Sequence, residues 1–144
     1  MKSTGYLLSV LAQKEAVTAG TDEALLLNEH GFVAEGSISN VFFVTHGELF
    51  TPPVESGILP GITREAVLEL AASSKIRATE VDIRAEDLPR FDEAFLTNSV
   101  LEIMPLVAVR DKAVKTVSFG SGKPGEITQR LMSAYREMVA RETG

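Results

Sequence analysis

The chain of 144 residues contains no cysteine. That excludes disulfides, thiolate metal sites and a cysteine nucleophile, and it leaves the redox compartment open. No apolar run approaches the roughly 20 residues of a membrane-spanning helix. Basic residues are in deficit: 14 Lys and Arg face 20 Asp and Glu, for a net charge of −6. Such a balance argues against nucleic acid or an anionic membrane as the main partner. The two histidines, His30 and His46, each stand before a glycine in a turn-like context and lack metal-ligand spacing. Neither a Gly-rich dinucleotide fingerprint nor a Gly-x-Ser-x-Gly elbow is present. There is no repeat, no low-complexity tract and no signal-peptide pattern at Met1-Lys2-Ser3-Thr4, so a cytoplasmic protein is the simplest expectation.

What is present suits one domain with a real core: 44% hydrophobic and 24% charged residues. The chain is organised around residues 33–44. Val33-Ala34-Glu35 reads as a strand end, Gly36-Ser37 as a turn, and Val41-Phe42-Phe43-Val44 as a strand buried on both faces. A lone carboxylate, Glu35, at the mouth of that strand calls for something cationic opposite it.

In chain order, Ser3 or Thr4 caps an expected helix over 2–18, with Leu7, Leu8, Leu11, Ala12 and Ala16 at helical spacing and Gly20 beyond its end. Strands are expected over 23–28 and 32–35, and a hairpin of 41–45 and 48–51 turns at His46-Gly47. A helix should run from Gly61 to about Ser73. A strand over 76–81, a helical turn over 85–89, a buried strand over 93–97 and strands over 102–109 and 112–117 follow. A last helix over 126–141 carries Ile127, Leu131, Ala134 and Met138 on one face. The expected fold is α+β: a single domain with one mixed, mainly antiparallel, barrel-like sheet and flanking helices.

Four features could carry chemistry. Gly61-Ile62-Thr63 opens a helix, whose N-terminus offers unpaired N–H groups and a positive dipole end. Gly61 lets an anion approach and Thr63 adds a hydroxyl, so a phosphate could sit there; the alternative is an ordinary helix start after a Pro-Gly turn. Thr97-Asn98-Ser99 ends a buried strand and could supply further phosphate donors, or simply local backbone bonds. Glu35 could hold a buried pyridine nitrogen protonated, or pair with Arg or Lys. Lys2 could form a Schiff base with an aldehyde cofactor, or be a solvated terminal lysine. Tyr6, one helical turn on, could donate to a cofactor oxygen or serve as a plain aromatic.

These residues, taken in order, resemble the large C-terminal domain of the fold-type IV pyridoxal-phosphate enzymes. That family includes branched-chain and D-amino acid aminotransferases and 4-amino-4-deoxychorismate lyases. The likeness rests on Lys2-Ser3-Thr4-Gly5-Tyr6-Leu7 with Val10-Leu11-Ala12, on Asp22-Glu23-Ala24-Leu25-Leu26-Leu27, and on Glu35-Gly36-Ser37 with Ser39-Asn40-Val41-Phe42. Leu59-Pro60-Gly61-Ile62-Thr63-Arg64 and the segment from Phe95 to Pro105 complete it. The resemblance implies pyridoxal 5'-phosphate as cofactor and Lys2 as the Schiff-base lysine. It implies Glu35 on the pyridine nitrogen, Gly61, Ile62 and Thr63 on the phosphate with Asn98 and Ser99 completing that site, Leu59 against the ring face and Tyr6 on the ring oxygen. It further implies amino acid and 2-oxo acid substrates and a homodimer.

Glu102-Ile103-Met104-Pro105 leans toward transamination, while Thr97-Asn98-Ser99 also suits the lyase branch. Complete members carry a smaller domain before the lysine, so residues 1–144 are expected to be the large-domain portion with that small domain missing. The competing expectation is a catalytically silent truncated domain that folds and self-associates.

Overall fold

Val41-Phe42-Phe43-Val44 lies in a strand, as its apolar run implies, and its surroundings explain why. In the computed structural model, which describes residues 7–14, 17–27, 33–36, 40–53, 61–98, 102–110, 116–119 and 125–143, this strand is β4 (Asn40–Thr45). Val41 and Phe43 point into one apolar cluster, and Phe42 and Val44 into another. All four are at most 1% exposed, because consecutive strand residues face opposite sides and both sides are covered. Its partner β7 (Glu93–Asn98) pairs antiparallel with Phe42 opposite Phe95. Those two rings stack at 5.0 Å between centroids, an aromatic cross-strand pair of the kind that pins register.

The other strands are β1 (Leu7–Lys14), β2 (Val17–Leu27), β3 (Val33–Gly36), β5 (Glu48–Thr51), β6 (Ala78–Glu80), β8 (Glu102–Arg110) and β9 (Thr116–Ser118). Together the described strands make one nine-stranded sheet in the order β3-β2-β1-β8-β7-β4-β5-β6, with β9 on β8. Among the pairs described only β5–β6 is parallel. The two ends of this path approach each other: the Val33 amide on β3 donates to the Ile83 carbonyl just beyond β6, at 2.6 Å. The sheet thus curls toward a barrel without closing as a ladder. One cluster fills the inside of the curl, where Val33, Val41, Phe43 and Leu96 meet Ile83, Leu88 and Phe119. A 3-10 turn, Ala85–Arg90, supplies Leu88. The other cluster lies outside, under α1 (Ile62–Ser73) and α2 (Glu126–Thr143).

The helix expected over 2–18 is not formed by the described part of that segment. Leu7–Lys14 is a strand, paired with β2 on one side and β8 on the other. Leu7, Leu8, Leu11 and Ala12 fit helical spacing, but an apolar run this short fits a fully paired strand equally well. Hydrogen bonds from two distant neighbours decided between them. Gly20 is not a helix stop; it lies in β2 opposite Leu11, beside a register shift between Ser9 and Leu11, where a glycine eases a bulge. Of the strand expected over 112–117, residues 112–115 lie outside the described residues, and 116 and 117 fall in β9 (Thr116–Ser118).

The hairpin turns where expected. His46 and Gly47 have φ of 53° and 75°, the left-handed pair a two-residue turn between Thr45 and Glu48 requires. His30 lies outside the described residues.

Helix α2 is tied down by the first residue of β7. The Glu93 carboxylate accepts from the amides of Ile127 (3.2 Å) and Thr128 (2.7 Å) and from the Thr128 hydroxyl (2.7 Å). It caps the helix from another element, with its negative charge at the positive dipole end. Ile127 and Leu131 on the expected inner face are buried, and Ala134 and Met138 are half-buried. Thr128 is buried too, a position the apolar pattern alone did not flag.

Gly125 stands where an added Cβ would strike the Glu93 side chain. Glu93→Ala should therefore cost about 1–2 kcal/mol, the usual worth of a good N-cap, and Gly125→Ala a similar amount by dislodging the same carboxylate. The two losses should not add in the double variant, because they remove one interaction. Urea unfolding of the four proteins checks this; additive losses would mean that Glu93 and Gly125 act independently.

Candidate functional site

The start of α1 is built from three sequence features. Gly61 is the N-cap in extended conformation (φ −121°, ψ 140°) and, being glycine, offers no side-chain cap of its own. Thr63, Val67 and Ala71 follow at intervals of four, and all three are buried, so they form the stripe that meets the sheet. The stripe is apolar except at its first position, where Thr63 puts a hydroxyl at the sheet end of the interface. Ile62, by contrast, is 87% exposed. What it can offer inward is its backbone amide, one of the first-turn N–H groups without an intrahelical acceptor.

Against this turn sits the beginning of β4. An added Cβ on Gly61 would collide with Asn40 Oδ1. The glycine expected to admit an anion therefore also serves a strand contact, which lets the strand start and the helix start touch. Asn40 pairs with Thr97 of β7, and both are buried. They lie on the face that continues through Phe42, Val44 and Phe95 into the cluster under the helices. Thr97 Oγ1 is a buried hydroxyl with no hydrogen-bond partner among the described residues. Asn98, the last residue of β7, stands opposite Glu102 of β8. Gly61, Asn40 and Thr97 are thus brought together from α1, β4 and β7, with Thr63 buried two residues beyond Gly61.

The contrast between the two helix starts is informative. At α2 the amides are occupied by a carboxylate of the chain itself. At α1 the N-cap residue is a glycine with no side chain to do this, and the buried Thr97 hydroxyl nearby has no partner among the described residues. A donor set of amides, a threonine hydroxyl and a second buried hydroxyl suits an anion with several acceptor oxygens.

Glu35 lies in β3, opposite Leu26 of β2. Three residues link Gly36 to Asn40, so those two Cα atoms, four steps apart, are within about 14 Å of each other. Strands β3 and β4 are in contact, and Val33 shares a cluster with Val41 and Phe43. The acid-bearing strand therefore runs into the strand that meets α1, as the sequence reading expects. Lys2, Tyr6, Leu59 and Ser99 lie outside the described residues, and so do the side chains of Glu35 and Asn98. The expectation that Lys2 and Tyr6 share a helical face rested on the 2–18 helix, whose described part, Leu7–Lys14, is strand.

Two side chains at this junction were assigned no role in the sequence reading. Asn40 is a polar residue opening an otherwise apolar strand. Arg64 is a cation in the first turn of a helix, where the dipole disfavours it. Each is an anomaly visible in the sequence, but only the fold shows that both border Gly61 and Thr63.

This architecture and this kind of site define a class of protein. The family described as amino-transferase class IV matches residues 1–109, and the chain belongs to that family. Several relatives within it are named as branched-chain aminotransferases. A putative branched-chain-amino-acid aminotransferase of Methanocaldococcus jannaschii is 40% identical over 138 residues, which are 96% of this chain and 46% of that protein. The solved structure of a putative branched-chain amino acid aminotransferase from Thermotoga maritima superposes with a TM-score of 0.73 at 38% identity, covering 90% of this chain and 44% of the other. The branched-chain amino acid aminotransferase of Thermobaculum terrenum, in its PLP-bound holo form, gives 0.70 at 39% identity, covering 82% and 37%. The chain spans less than half the length of each of these relatives.

The unpartnered hydroxyl makes a direct prediction. Thr97→Val removes a buried polar group that has no partner among the described residues, and it keeps the shape. The unfolding midpoint should stay level or rise, by up to about 1–2 kcal/mol in stability. A clear loss of stability would mean the hydroxyl is already satisfied.

Proposed function

We propose that the protein is a pyridoxal 5'-phosphate-dependent aminotransferase of amino acids, of the branched-chain type, that exchanges an amino group between an amino acid and a 2-oxo acid. The observation that carries the reading is the start of α1 at a glycine N-cap, beside a buried Thr97 hydroxyl that has no partner among the described residues, in a chain of the class IV family. A phosphate fits the donor set of that corner, and the contact of β3, the strand that carries Glu35, with β4 supports the reading.

In this proposal the amides of Ile62 and Thr63 and the Thr63 hydroxyl bind the phosphate, Gly61 allows the close approach, and Asn98 and Ser99 add donors. Glu35 holds the ring nitrogen protonated, Leu59 packs on the ring face and Tyr6 donates to the ring oxygen. Lys2 holds the cofactor covalently and moves the proton at its Nζ. When bound, the cofactor supplies an electron-withdrawing ring that stabilises negative charge developing at the substrate's Cα. The role of the chain is to orient that ring from both ends and to keep the acid opposite its nitrogen.

Branched-chain substrates are preferred over D-amino acids and over aminodeoxychorismate lysis because the relatives reported above are branched-chain aminotransferases. A homodimer working in the cytoplasm completes the proposal. Among the described residues no helix is long and apolar enough to cross a membrane.

The test is spectroscopic. Adding pyridoxal 5'-phosphate to the intact protein should give a saturable absorbance change at one cofactor per chain. Borohydride should then fix the cofactor to the wild-type chain and not to Lys2→Ala. Isoleucine, leucine or valine with a 2-oxo acid should exchange amino groups, and D-alanine should not. Absence of any saturable spectral change would end the reading. Sizing with light scattering checks the dimer.

A further inference from the structure

Arg64 is the buried charge nearest to the corner just described, and its burial runs against two rules. It is 1% exposed, although a guanidinium is costly to take out of water. It also lies in the first turn of α1, where the positive end of the helix dipole repels a cation. Its contacts show what offsets these costs. One Nη donates to the Pro52 carbonyl at 3.2 Å and lies 3.3 Å from Glu80 Oε1; the other donates to Glu65 Oε2 at 2.8 Å. Both carboxylates are half-exposed, and Nε has no partner among the described residues.

The geometry of these contacts is that of a clamp. Pro52 follows β5, Glu80 ends β6 and Glu65 is in α1, so one planar group ties the first helical turn to two neighbouring strands. At the same turn, Asn40 of β4 presses against Gly61. The segment Gly61-Ile62-Thr63 is therefore bordered by a strand start and by the arginine fork. With two carboxylates beside it, the guanidinium lends little net positive charge to an anion at the helix start. Its planar geometry is what remains to account for its placement.

We propose that Arg64 is a positioning residue: it fixes the first turn of α1 so that the Ile62 and Thr63 amides meet the cofactor's phosphate in one orientation. This rests on the cofactor reading above and extends it to a residue that does not touch the ligand. Affinity for pyridoxal 5'-phosphate should depend on Arg64 geometry, whereas affinity for pyridoxal, which lacks the phosphate, should not.

The experiment is a pair of absorbance titrations, with pyridoxal 5'-phosphate and with pyridoxal, on the intact wild-type protein, Arg64→Lys and Glu80→Ala. Arg64→Lys keeps the charge and loses the fork. Glu80→Ala removes one anchor of the fork at a half-exposed position, so it stays folded even if Arg64→Lys does not; far-ultraviolet circular dichroism verifies folding of each. The expected result is a weakening for the phosphate ester of about tenfold in Arg64→Lys and about threefold in Glu80→Ala, the scale of one or two misplaced charge-assisted bonds. The pyridoxal affinities should stay unchanged.

Equal weakening for both ligands, or no weakening for either, in a wild-type protein that binds the phosphate ester would overturn the positioning role while leaving the cofactor reading intact. A folded Glu80→Ala that binds as wild type, where Arg64→Lys does not fold, would also overturn it. A wild-type protein that binds neither ligand overturns the cofactor reading, and this inference with it.

Discussion

The pairing of β4 with β7 is the constraint on which the rest of the structure depends. Both strands are buried on both faces from Val41 to Val44 and from Ala94 to Leu96, so a slip of one residue would swap the contents of two separate cores. The stacked Phe42 and Phe95 rings sit at the middle of that ladder. Because the register cannot move, each end of the pair is placed with the accuracy of the core. One end carries Glu93, which holds α2. The other carries Asn40 and Thr97, which meet the start of α1. A single rigid pair thus serves a structural anchor at one end and a candidate ligand site at the other, which suits chemistry that needs fixed groups on rigid elements.

The two helix starts show how one physical problem is resolved differently in one chain. Each presents amides without intrahelical acceptors. At α2 the chain brings its own carboxylate, and the cap becomes part of folding stability. At α1 the N-cap is a glycine with no side chain to offer, and the neighbouring Thr97 hydroxyl is buried with no partner among the described residues. Leaving such groups unsatisfied costs stability, a cost that a multiply accepting anion would offset on binding. Arg64 fits the same logic: a buried cation in a place unfavourable to cations is intelligible as the means of holding that turn still.

Local signals foretold the elements whose evidence is local. Val41 to Val44 read as a two-face buried strand, His46-Gly47 as a tight hairpin turn, Gly61 as a helix start and 85–89 as a short helical turn, and each is found there. Failure came at residues 7–14. Their leucine spacing satisfies either a helix or a strand, and the neighbours that choose between them, β2 and β8, include one almost a hundred residues away in sequence. The candidate site was legible as three separate motifs. Arg64 and Asn40 carried no signal strong enough to earn a role, because the anomaly of each is measured by burial, which a sequence does not state.

From its residues alone, then, the chain determined its class, the order of most of its elements and the family to which it belongs, since these follow from short-range patterns of polarity, turn residues and motif order. Tertiary structure alone decided that the first described segment is a central strand, that Glu93 closes α2, that Asn40 abuts Gly61 and that Arg64 is buried against Pro52 and Glu80. The reason is physical: hydrogen bonds between strands and contacts around a buried charge join residues far apart in the chain, and their energies exist only once folding has brought those residues together.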